Sequence, residues 1–122
     1  MDLNKLCERV FALNDDIRYA GVIDSTGTPI AGGMRKGIDS MVSETDEELF
    51  LTQTALRKSM RERFDASMGR ARFAYIEREK VSLLPFYMAD KMLLLTLEPN
   101  VDSHTAIDIA DDTLELLNGK LL

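Results

Sequence analysis

Residues 19–34 read Y-A-G-V-I-D-S-T-G-T-P-I-A-G-G-M. Two apolar runs enclose Asp24, Ser25, Gly27 and Pro29, residue types that reverse a chain, so the stretch reads as a β-hairpin. Its first strand covers about 18–24 and its second about 30–34. Gly32 and Gly33 predict a bulge in the second strand, or the close approach of another backbone. Further on, residues 91–97 read K-M-L-L-L-T-L, apolar at both parities. Such a strand has apolar neighbours on both of its faces. The two stretches together predict a central sheet with helices on each side.

The remaining elements follow from periodicity and punctuation. Leu3, Leu6, Cys7, Val10 and Phe11 form one apolar stripe, predicting a first helix that ends near Asn14. Residues 35–44 read as a loop around Gly37. Thr45 and Glu48 fit a capping box, with Asp46, Glu47 and Glu48 at the positive end of the helix dipole. This middle helix is expected to run to about Ser67, with Gly69 stopping it. Its expected apolar stripe is Leu49, Phe50, Leu56, Met60, Phe64 and Met68, beside a side of small residues, Thr52, Ala55, Ser59 and Ala66. Strands are predicted at 72–78, 81–88 and 91–97, the last two joined by a tight reversal at Ala89 and Asp90. Pro85 lacks a ladder donor, so strand 4 is expected to bulge there or to turn that position away from any neighbour. Asp102 or Ser103 caps a final helix with apolar positions Ile107, Ala110, Leu114 and Leu117, stopped by Gly119.

The order is therefore α-β-β-α-β-β-β-α: an α+β fold, with a five-stranded antiparallel sheet, two helices on one face and one on the other. Short reversals pair strands 1 and 2 and make a meander of strands 3, 4 and 5. Strands 1 and 5 belong in the middle, with strands 2 and 3 as edges. At 122 residues the chain is expected to be a single domain, 1–122, large enough to need no disulfide or metal staple. Its single cysteine, Cys7, fits a reducing, cytoplasmic home. No apolar run reaches the roughly 18 residues of a membrane span, and residues 1–16 carry acids rather than a basic start and an apolar signal core.

The net charge of −6 conceals a pattern. Residues 1–56 hold five basic and ten acidic side chains, residues 57–80 eight and four, and residues 81–122 two and seven. A basic belt inside an acidic chain can attract a phosphate, an acidic partner or a second copy, although i,i+4 pairs such as Lys58 with Glu62 also account for it. Arg57 and Arg61, one turn apart, are the candidate anion or partner contacts. Overall acidity opposes nucleic-acid binding.

With its early hairpin and the segment M-L-L-L-T-L-E-P-N-V-D before the last helix, the chain resembles the roadblock/dynein-light-chain family, related in shape to longin and profilin-like domains. The middle segments M-R-E-R-F-D and E-R-E-K-V look like those of small archaeal proteins of similar length. The resemblance implies a non-catalytic module that dimerises by joining edge strand 3 and the middle helix across a two-fold axis. The resulting platform would serve a partner protein, often a small GTPase. It also implies a dimer surface on Ala55, Ser59, Ala66, Arg72, Ala74 and Ile76, and no cofactor.

Reactive side chains form no catalytic constellation. His104 stands alone at the start of the last helix, and Cys7 lies within an apolar stripe. The acids at 15–16, at 46–48 and at Asp108, Asp111 and Asp112 read as turn, cap and solvated face. The S-T-G-T turn lacks the lysine and spacing of a phosphate loop. An alternative from another class is a sensor that encloses a metabolite between sheet and middle helix, near Tyr19, Phe73, Tyr75, Phe86 and Tyr87. A closed apolar cavity of roughly a few hundred Å³ would mark it.

Overall fold

The computed structural model describes residues 2–118, so the expected stop at Gly119 lies outside the described residues. The elements are α1 (Leu3–Phe11), β1 (Ile17–Asp24), β2 (Pro29–Met34), α2 (Glu44–Glu62), a single turn α3 (Asp65–Met68), β3 (Ile76–Glu77), β4 (Ser82–Tyr87), β5 (Lys91–Leu97) and α4 (Ser103–Leu116). The sheet is antiparallel with order β2-β1-β5-β4-β3. The strands that are apolar at both parities, β1 and β5, stand side by side within it, as expected.

Each face of the sheet has its own core. On one, Leu6, Cys7 and Val10 of α1 and Ala106, Ile109 and Ala110 of α4 cover Ala20, Val22, Leu84, Phe86, Leu93 and Leu95. On the other, α2 contributes Leu51 above Tyr19, Ile23, Tyr87, Met92 and Leu94. The alternation of β5 is plain: 92 and 94 serve one face, 93 and 95 the other. A register shift between Ile17 and Tyr19 moves Ile17 onto the α1/α4 face against the parity of its strand.

Local chemistry fixes the turns. The Asp24 carboxylate accepts from Thr26 N–H (2.9 Å), the Thr26 hydroxyl (2.7 Å) and Thr28 N–H (3.0 Å), locking the hairpin turn. Gly32 (φ +74°) sits where a Cβ would lie 2.2 Å from the Ala20 carbonyl oxygen, the close backbone approach foreseen for the glycine pair. The bulge itself lies elsewhere, opposite Val22 and Ile23. Arg35, at the end of β2, donates to the carbonyls of Ile17 (2.7 Å), Phe11 (2.9 Å) and Asn14 (2.8 Å), tying the α1–β1 connection down.

Four expectations need correction. The cap of α2 is Ser43, whose hydroxyl accepts from Asp46 N–H at 3.2 Å, so the helix starts before Thr45. It also ends early: Phe64 N–H closes onto Arg61 C=O three residues back, and Phe64 leaves helical geometry before α3. Strand 3 has only two residues plus an isolated bridge between Phe73 and Phe86. The reason is Pro85. Strand β4 keeps unbroken register with β5, while Tyr87 N–H donates to Arg72 and Ala74 N–H to Pro85. By alternation, an amide at 85 would point at strand 3, and its loss interrupts that ladder. Finally, α4 buries Ala106, Ile109, Ala110 and Thr113 rather than Ile107, which is exposed.

Candidate interaction surface

The outer face of α2 departs furthest from expectation. Its sheet-facing side is Leu51, Thr54, Ala55 and Lys58, while Leu49, Leu56, Met60, Phe64 and Met68 are 52–80 % exposed. At about 100° per residue, positions 49, 56 and 60 fall within roughly 40° of one another and opposite Leu51. The cause lies in the floor beneath. Tyr19, Ile23, Tyr87, Met92 and Leu94 are large and fill most of the space under the helix, leaving room for Leu51 with Thr54, Ala55 and the stem of Lys58. At the hairpin turn the fit is tighter still: a Cβ on Gly27 would lie 2.8 Å from the Leu51 carbonyl oxygen and from Thr52 backbone atoms. The large apolar residues are left on the solvent side.

Charge is segregated along the same helix. Glu44, Asp46, Glu47 and Glu48 occupy its start, and Arg57, Lys58, Arg61 and Arg63 its end. Lys58 is buried and ion-paired with Glu62 at 2.8 Å. Arg61 lies over the Tyr87 ring, 5.5 Å from its centroid. Burial raises the Tyr87 phenol's pKa, and Arg61 opposes that rise. Arg61 also lines a small recess of about 70 Å³ with Lys58, Glu62, Arg70 and Arg72, and shares with Arg57 a neighbouring dimple over Pro85 and Ile76. The two arginines thus meet on the strand 3 side of α2, beside Tyr87.

Among the residues of the expected dimer surface, Arg72, Ala74 and Ile76 line up along β4, each held by backbone pairing. Ala55 is buried within the protomer. Ser59 is exposed on the flank of Thr52, which meets the hairpin turn, and Ala66 is exposed in α3.

An open cleft of about 770 Å³ lies between the first turns of α2, the sheet and the 77–81 turn. Tyr19, Phe50, Leu51, Leu83 and Leu94 line it with the exposed loop residues Met41 and Val42. Charges of both signs, Glu47, Glu77, Glu79, Arg78 and Lys80, also border it. Burial, reinforced by Glu47 and then Cys7, pushes the Tyr19 phenol up to about 12. Of the aromatic residues expected around a ligand, Tyr19 lines the cleft and Tyr87 shares its face. Phe73, Tyr75 and Phe86 pack on the opposite face, the two phenylalanines stacked at 5.6 Å.

His104 is exposed in the first turn of α4, which Asp102 caps through Thr105 N–H at 2.7 Å. Cys7 is buried, its thiol pushed up to about 11 by desolvation. Among the described residues no three His, Cys, Asp or Glu side chains converge as metal ligands, and no helix is long and apolar enough to cross a membrane. The outward placement of Leu49, Leu56 and Met60 was missed from sequence. The small-residue side gave no better guide, since of Thr52, Ala55, Ser59 and Ala66 only Ala55 is buried.

The fold is that of roadblock proteins. A Roadblock/LC7 domain from Streptomyces avermitilis aligns over 98 % of this chain and 94 % of its own, with a TM-score of 0.69 at 11 % identity. The gliding protein MglB from Thermus thermophilus gives 0.71 at 15 %, over 93 % of this chain and 83 % of its own. Profilin from Schizosaccharomyces pombe gives 0.65 at 12 %, over 97 % and 98 %. By sequence, the chain belongs to the family described as "Family of unknown function (DUF6659)", whose model matches residues 2–116. No curated protein sequence matches it.

Proposed function

We propose that this protein is a non-catalytic interaction module that works as a homodimer and presents a composite surface to a partner protein. The exposed apolar row on α2 carries the reading: a run of large side chains on one helix face marks an interaction site. The fold supports it, since a solved MglB structure has a tetrameric arrangement. A small GTPase is the partner class that the roadblock resemblance implies. Light scattering on the eluting protein at micromolar concentration should return twice the 13.7 kDa chain mass; a monomer refutes the dimeric module. Captures from its own cells, loaded with a GTP or a GDP analogue, should differ in the small GTPase retained.

A second reading rests on the cleft. An opening of about 770 Å³ with an apolar floor is within the range of small-molecule sites. A sensor predicts a metabolite retained through gentle purification and visible by native mass spectrometry. A bare chain mass, with no thermal stabilisation by small-molecule extracts of its cells, counts against it.

A further inference from the structure

We propose that the outer face of α2 binds the same face of a second copy in antiparallel orientation, leaving the strand 3 edge outside the contact. This rests on the homodimer reading and says which surface builds it. Leu49, Gln53, Leu56 and Met60 are spaced four, three and four residues apart, the interval of a two-helix seam, and all are exposed. Antiparallel packing about the middle of this run sets Leu49 against Met60 of the second copy and Gln53 against its Leu56. The exposed Phe64 and Met68 follow just after α2. Of the nine large apolar side chains exposed among the described residues, five lie on this helix or just beyond its end.

Charge chooses the direction and the partner. The start of α2 is acidic and its end basic, so a parallel twin would set like against like. An antiparallel twin sets Glu44, Asp46, Glu47 and Glu48 near Arg61 and Arg63. Glu48 and Arg63 lie on the same flank of the seam, and neither has an ion-pair partner among the described residues. The face is therefore complementary to itself, as a two-fold contact requires. The strand 3 edge is a poorer self-partner. It offers a two-residue strand with its ladder broken at Pro85, flanked by Arg72, Arg78 and Lys80, the features that blunt an edge.

The test uses charge exchange at two exposed positions. Glu48→Arg and Arg63→Glu should each weaken self-association about tenfold, while an equimolar mixture of the two restores it as a heterodimer, because both cross-contacts are then opposite in sign. Leu56→Glu should give a monomer with the wild-type circular dichroism spectrum; if that variant does not fold, the exchange pair still decides. A monomeric wild-type protein overturns this inference and the homodimer reading together, and hands the face to a different partner. A wild-type dimer indifferent to all three substitutions, yet lost on Glu77→Pro, which by alternation removes an amide facing away from β4, overturns this inference alone and leaves the dimeric module standing. Single variants that weaken the dimer without rescue on mixing overturn the antiparallel arrangement.

Discussion

Gly32 and Asp24 show how single residues hold this fold. At Gly32 the backbone is left-handed, and a methyl group would meet a carbonyl oxygen that the β1 ladder holds still. Gly32→Ala should therefore cost about 2–4 kcal/mol. Gly37→Ala has the same sign of φ but no atom within 4 Å, and should cost only about 1–2 kcal/mol; urea unfolding of the pair separates clash from strain. Asp24 adds a pH dependence. Its carboxyl pKa is lowered, chiefly by the Thr26 hydroxyl and then by the Thr28 and Thr26 amides. A depressed folded-state pKa gives stability that is present above the unfolded value, and that stability fades as pH falls through the folded one. The difference in urea midpoint between wild type and Asp24→Ala should therefore narrow below about pH 4. Both turn residues were legible from their types, because φ > 0 and short-range side-chain bonding are local properties. The three carbonyls held by Arg35 were not, since nothing near residue 35 says which distant oxygens are unpaired.

Elements with strong local signals came out close to their reading. Residues 91–97 are a strand to the residue, and the hairpin differs by a single position at two of its bounds. The middle of the chain reads less well. Nothing at 63–64 marks the break between α2 and α3, as no glycine or proline stands there. Pro85 was rightly seen as a missing donor, but which neighbour would lose the bond depends on strand order. Pro85→Ala should supply an amide that donates across to Ala74 and extends β3 through residues 73–77. The new hydrogen bond contributes about 1 kcal/mol, and the freer unfolded chain costs about 0.4–1, so stability should hardly change. Slow hydrogen exchange of the residue 85 amide is the decisive readout. Rapid exchange would contradict the assignment of that gap in the ladder.

For the whole molecule, the two faces of the sheet are unequally covered. Two helices enclose the richer core, while α2 covers its own face with few large residues and turns the rest outward. That imbalance leaves both the cleft under the start of α2 and the apolar row on its back. If oppositely charged helix ends steer self-association, raising ionic strength from about 0.05 to 0.5 M shortens the screening length severalfold and should weaken the dimer. Sedimentation equilibrium at both salt levels measures this. A purely apolar contact would hold or tighten instead. Of the small residues expected at an interface, Ala55 is already used inside the protomer.

Order of elements, the hairpin turn, the central place of β1 and β5, and the acidic-to-basic run along α2 were all determined by the sequence itself. Each depends on spacing, residue type or the parity of a single strand. Which side of α2 meets the sheet was decided only in three dimensions. The buried side is Leu51, Thr54, Ala55 and Lys58, neither the large-residue stripe nor the small-residue side read from the sequence. The choice fell to the bulk of Tyr19, Tyr87 and Met92 beneath it and to the absent side chain of Gly27. A helix sequence records its own apolar positions, whereas the depth available above a sheet is set by residues tens of positions away.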